Sequence, residues 1–110
     1  MLINYAITTQ ESSMRNSSLA ANWFLYLIRC KDGSHYTGIT TNVERRFQEH
    51  CDGGKKSARY LRGKAPLELV FYQQVGDKST ALRLEYRVRK LSVRHKKALI
   101  AGEMQLDVLD

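Results

Sequence analysis

Tyr26 and Tyr36 stand ten residues apart, Arg46 follows ten residues later, and His50 lies one helical turn beyond it at i+4. Glu85 is the single acid in residues 83–97, among seven bases. Phenols, an imidazole and a carboxylate are groups that move protons, and a guanidinium is a permanent positive charge. The bases are concentrated. Residues 44–64 hold seven against Glu44, Glu49 and Asp52, so two short stretches carry most of the excess charge. Each Lys or Arg that neutralises a phosphate releases condensed counterions, so a polyanion is the partner this clustering suits. Other chemistries fail on spacing. Gly54-Lys55-Lys56-Ser57 resembles the end of a phosphate loop, but the first glycine of that pattern falls on Glu49. His50 and Cys51 are adjacent, which suits no tetrahedral zinc pair, and no Ser-His-Asp pattern is present.

These side chains need elements to hold them. Trp23 to Cys30 is apolar on both alternating faces, the pattern of a central strand covered on two sides. Lys31-Asp32-Gly33-Ser34 supplies a turn, and His35 to Ile39 returns as the second strand of a hairpin, placing Tyr26 and Tyr36 on one patch. Thr41-Asn42-Val43-Glu44 fits a capping box with the Thr41 hydroxyl as cap, which predicts a helix from about Asn42 to Cys51 with Val43 and Phe47 facing the core. Residues 52–66 read as a Gly-rich basic connection with a helical turn near Ala58 to Arg62. Leu67 to Val75 is the third strand. A helix over about Ser79 to Leu91 has Ala81, Leu84, Val88 and Leu91 as its core stripe, and a last helix spans about Val93 to Ala101. The order β-β-α-β-α-α defines an α/β (α+β) fold, a three-stranded, mainly antiparallel sheet flanked by helices.

The 110 residues, with 18 Lys+Arg against 11 Asp+Glu and a net charge of +7, make one small basic domain. Residues 1–22 contain one acid and one base and show no sustained period, the signature of a flexible extension. The domain is expected over residues 23–103, with 104–110 as a short tail. The longest apolar run, Trp23 to Ile28, is far short of the roughly 20 residues that span a bilayer, so no membrane segment is expected. The N-terminus lacks a secretory pattern. Cys30 and Cys51 then read as thiols in a cytoplasmic protein.

Phe24-Leu25-Tyr26, Tyr36-Thr37-Gly38 and the run from Asn42 to His50, followed by a helix bearing Glu85, resemble the motifs of a GIY-YIG nuclease domain. The resemblance extends over residues 23–101 and is nearest to the small stand-alone bacterial members, which carry stretches similar to Gly54 to Gly63 and Leu84 to Leu91. The chain departs from the pattern at Phe24, where the family has glycine, at Thr37, where it has isoleucine, and in having no asparagine after Asn42.

The resemblance implies divalent-metal-dependent hydrolysis of DNA phosphodiesters, linked to DNA repair or processing. Glu85 would be the metal ligand, and a lone carboxylate suits Mg²⁺ (or Mn²⁺), which keeps several waters. Arg46 would face the same phosphate in a fork geometry that lysine lacks. Tyr26 would be the general base with Tyr36 beside it, and His50 would orient a phenol or relay its proton. A free phenol has a pKa of about 10, so phenolate at pH 7 costs roughly 4 kcal/mol, which nearby positive charge must reduce.

Backbone phosphates would meet Lys55, Lys56, Arg59, Arg62 and Lys64 on the loop, and Arg87, Lys90 and Arg94 on the helical face. DNA is favoured over RNA by the resemblance alone. A protein partner or a second copy of the chain is the expected source of targeting, because no separate recognition domain fits in 110 residues. The alternative is a DNA- or RNA-binding module of the same fold with weak or no turnover.

Overall fold

A computed structural model describes residues 22–109. The expected flexible extension falls almost wholly outside these residues. Strand β1 (Trp23–Arg29) pairs with β2 (His35–Thr40) on one side and β3 (Glu68–Gly76) on the other, giving an antiparallel sheet of order β2-β1-β3. Helix α1 (Val43–Asp52) follows β2, and α2 (Lys78–Arg89) and α3 (Val93–Ile100) follow β3. Among the described residues the fold is therefore α+β with three strands and three α-helices, as the sequence predicts.

Strand β1 is apolar on both faces because both are covered. Phe24, Tyr26 and Ile28 pack with Cys30, Val43, Leu61 and Leu69 in one cluster, joined by the partly buried Tyr36 and Phe47. Leu25 and Leu27 face the opposite way and pack with Leu84, Val88, Leu99 and Leu106. The period of two thus divides one strand between two half-cores, α1 on one side and α2 with α3 on the other. The hairpin closes at Gly33 (φ 88°), and the Asp32 carboxylate accepts from the Ser34 N–H and hydroxyl at 3.0 and 2.6 Å.

Two expectations need correction. The cap of α1 is Asn42 rather than Thr41. Asn42 Oδ1 accepts the Arg45 N–H at 3.0 Å, while Thr40 Oγ1 accepts the Asn42 N–H at 3.1 Å and fixes the entry to the helix. Residues 104–109 are no free tail. Leu106 opens a 3₁₀ turn (Leu106–Leu109) and is 2% exposed, because its side chain fills the half-core beneath α2 and α3. Cys30 is buried and Cys51 exposed, both as free thiols. No helix among the described residues is long and apolar enough to cross a membrane.

Candidate active site

The hairpin register sets Tyr26 directly opposite Gly38. The Tyr26 ring lies over that glycine so closely that a Cβ there would come within 2.9 Å of Cε2 and closer still to Cζ and Oη. The absent side chain is what allows a tyrosine to lie flat and buried, 2% exposed, across the hairpin. Its ring centroid is 6.3 Å from that of Tyr36 and 6.0 Å from that of His50, while Tyr36 and His50 meet edge to face at 5.5 Å. The structure thus brings together the two tyrosines and the histidine that the spacing singles out.

His50 is held at both ring nitrogens. The Ala58 backbone N–H donates to Nδ1 at 3.2 Å, and Nε2 lies 2.9 Å from Tyr26 Oη. A backbone N–H is only a donor, so Nδ1 carries no proton. Burial lowers the His50 pKa to about 4, so the ring is neutral at pH 7 and its one proton sits on Nε2. The Nε2–H therefore donates to Tyr26 Oη. Of the two roles expected for His50, this tautomer orients the phenol; it offers no lone pair for the phenol's proton.

Arg46 is tied into α1 and the following loop. Its guanidinium donates to Glu49 Oε1 at 2.9 Å and to the Lys56 carbonyl at 2.6 Å. Its charge also reaches both phenols. Burial and the charge of Tyr36 push Tyr26 above its ordinary phenol range, and Arg46 opposes the rise without cancelling it. Tyr36 is raised by burial, with Arg46 and Arg89 opposing.

Tyr36 opens into a cleft of about 340 Å³ that it lines with His35, Thr37, Tyr60, Glu85, Arg89 and Lys96. Glu85 projects from α2, half-buried. Ion pairs among the described residues join Arg29–Glu68, Arg45–Glu49, Arg46–Glu49 and Lys64–Asp32, and Glu85 is in none of these. A hard carboxylate beside a roomy polar cleft fits a hard divalent cation that keeps its own waters. Among the described residues no three His, Cys, Asp or Glu side chains gather as a ligand set, so such a cation would rest on Glu85.

The predicted phosphate contacts separate into groups. Lys55, Lys56, Arg59 and Arg62 are exposed on the loop after α1, and Arg87, Lys90 and Arg94 on the outer helical face. Lys55 and Arg62 share a second cavity of about 430 Å³ with His50, Cys51, Gly53 and Gly54. Lys64 is engaged instead. Its Nζ lies 3.5 Å above the Tyr60 ring and 3.7 Å from Asp32.

Sequence reasoning did not place Tyr60, whose ring stacks on Tyr36 at 6.0 Å, or His35 and Thr37 in the cleft, and it counted Arg89 and Lys96 only among the bases of residues 83–97. For Arg89 a signal existed, since i+4 from Glu85 puts it on the same helix face. Tyr60 lies in the Gly54 to Gly63 stretch that resembles the family, but its place beside Tyr36 depends on the Ala58 N–H and the Ser57 hydroxyl meeting His50, which residue type does not reveal.

The chain is similar to known proteins over most of the described residues. The family described as the GIY-YIG catalytic domain matches residues 22–98. The UPF0213 protein YhbQ of Escherichia coli K12 is 60% identical over 79 residues, 72% of this chain and 77% of that one. A UPF0213 protein of Vibrio cholerae is 50% identical over 95 residues, 86% and 92% of the two chains. A UPF0213 protein of Bacillus halodurans, solved by solution NMR, is 43% identical with a TM-score of 0.47, covering 74% of this chain and 84% of that chain.

Proposed function

The chain belongs to the GIY-YIG catalytic-domain family of nucleases, and from that premise we propose that it is a divalent-cation-dependent endonuclease that hydrolyses phosphodiester bonds in DNA. The observation that carries the proposal is one cleft lined by both the half-buried carboxylate of Glu85 and Tyr36, whose ring packs with those of Tyr26 and His50, while the charge of Arg46 reaches both phenols. DNA is preferred to RNA on family resemblance, and the two free thiols suit the cytoplasm.

Glu85 would hold the cation, Mg²⁺ or Mn²⁺, which when bound stabilises charge on the phosphate and leaving oxygen. Tyr26 would take the proton of the attacking water. Its oxygen accepts the Nε2–H of His50 and lies in the field of Arg46, and both favour negative charge there. Tyr36, open to the cleft, would position the water and the phosphate. His50 acts through Tyr26 as a positioning residue. Lys55, Lys56, Arg59 and Arg62, with Arg87, Lys90 and Arg94, would hold the strands by their phosphates. Lys64 would support Tyr60 from above. Targeting would come from a partner or a second copy of the chain.

The second reading, a binding module with little turnover, is favoured by one observation: burial pushes the Tyr26 phenol up, away from the phenolate form. Incubation of plasmid, single-stranded and branched DNA and of RNA with Mg²⁺ or Mn²⁺ separates the two. Cleavage that is lost in Tyr26→Phe and Glu85→Ala supports the nuclease. Binding without cleavage by the wild type supports the module. Cleavage at the wild-type rate in Glu85→Ala refutes the metal assignment.

A further inference from the structure

Nε2 of His35 and Oγ1 of Thr37 are buried side-chain atoms with no hydrogen-bond partner among the described residues. Buried polar atoms are nearly always paired, so each orphan calls for a reason. His35 and Thr37 are two apart on β2 and share a face of the strand. Both line the 340 Å³ cleft, and Thr37 is only 4% exposed. They share that cleft with Arg89 and with Lys96, which is half-buried and takes no part in the ion pairs described above.

Two cationic side chains, a hydroxyl and an imidazole therefore converge on one space. All four have a hydrogen to donate, and even with the Glu85 carboxylate lining the same space Arg89 and Lys96 leave the cleft with a net positive charge. Burial, then the charges of Lys96, Arg29 and Lys97, keep His35 below its ordinary pKa, so its ring is neutral and able to present an N–H at Nε2. A ligand that satisfies all four must be an anion rich in acceptor oxygens. A carboxylate brings two such oxygens, and a phosphate brings more together with the charge that Arg89 and Lys96 match.

We propose that His35, Thr37, Arg89 and Lys96 form a phosphate subsite in the cleft beside Glu85, which takes a phosphate group of the bound nucleic-acid strand. The ligand is either an internal phosphodiester or a terminal phosphomonoester. The proposal rests on the nuclease reading for the identity of the strand, while binding itself requires neither cation nor turnover. Arg89 and Lys96 belong to the basic stretch 83–97, whereas His35 and Thr37 lie outside both basic stretches.

The test is NMR of the ¹⁵N-labelled full chain in low salt with chelator. It is titrated separately with inorganic phosphate, with a dinucleotide carrying one internal phosphodiester and no terminal phosphate, and with a nucleoside 5′-monophosphate. The expected result is a saturable shift of the His35 ring nitrogens and the Thr37 amide, with His95 as an unmoved internal control. Thr37→Val and Lys96→Ala should each weaken binding about tenfold, the size of one hydrogen bond to a charged group. Thr37→Val should keep or raise the melting temperature, a combination that a merely structural threonine would not give.

Binding of the dinucleotide identifies an internal phosphodiester; binding of phosphate and the monophosphate alone identifies a strand end. Unmoved His35 and Thr37 signals in all three titrations overturn the subsite. The two readings fail separately. A protein that shifts at His35 yet cuts nothing with Mg²⁺ keeps the subsite and loses the nuclease, and one that cuts with His35 silent does the reverse.

Discussion

Acid should weaken this protein through His50, and the amount follows from its surroundings. The folded-state pKa is about 4 against an ordinary value of 6.5, with burial as the main cause and Arg46 the next. The unfolded chain then binds the proton more readily than the folded one. The stabilisation is complete above 6.5 and is lost as pH falls toward 4. The full difference corresponds to about 3 kcal/mol. Between pH 7 and pH 5 the share expected is about 2 kcal/mol.

Urea unfolding at the two pH values, on wild type and His50→Gln, isolates it. Glutamine can accept from the Ala58 N–H and donate to Tyr26 but has no proton to gain. Wild type should therefore lose about 2 kcal/mol more than the variant over this interval. His35, which is also lowered, contributes equally to both proteins and cancels. The depressed carboxyls of Asp32, Glu49 and Asp77 titrate below the window. Equal losses in the two proteins, or an NMR titration of His50 centred near 6.5, would refute the assignment of a buried neutral ring with its proton on Nε2.

Three further outcomes are expected. Glu85→Gln should reduce Mg²⁺-dependent cleavage at least about a hundredfold, the scale of a lost charge-stabilising group, with an unchanged melting curve; cleavage within a fewfold of wild type would remove Glu85 from the site. Gly38→Ala should drive the new methyl into the Tyr26 ring and cost about 1–3 kcal/mol of stability, and a crystal structure with Tyr26 still 2.9 Å from His50 would contradict the packing argument. Replacing Lys55 and Lys56 together by alanine should lower the slope of log-affinity against log-salt by about two; both side chains are exposed, so an unaltered slope means that the loop lies off the strand.

The hairpin and the two half-cores were legible because they rest on local pattern. Asp32-Gly33 fixes the turn and hence the register, and the period of two in Trp23 to Ile28 divides the core. The cap was misplaced by one residue because Thr41 and Asn42 are both good caps, and the choice falls to Thr40, whose hydroxyl holds the Asn42 N–H. The burial of Leu106 was hidden among acidic and polar neighbours too few to show a period. The closure of the loop over the hairpin was not legible at all. It depends on the Ala58 N–H meeting Nδ1 and the Ser57 hydroxyl donating to the His50 carbonyl at 3.3 Å, and a backbone donor leaves no mark in residue type.

The two departures within the triads have opposite energetic consequences. Phe24 stands where the family resemblance would place glycine, yet it is 4% exposed and packs in the cluster that contains Tyr26, so the larger side chain adds buried apolar area. Thr37 stands where that pattern has isoleucine, and it buries a hydroxyl that no described residue satisfies. Leaving such a group unpaired costs about 1–3 kcal/mol, and valine has the same shape without that cost. On stability alone, then, threonine is a poor choice at a position between Tyr36 and Gly38. The loss is recovered when an acceptor enters the cleft, and it is recovered only in the bound state. A hydroxyl that destabilises the free protein and is satisfied in the complex raises affinity by the difference, which is the sense in which Thr37 belongs to the site rather than to the core.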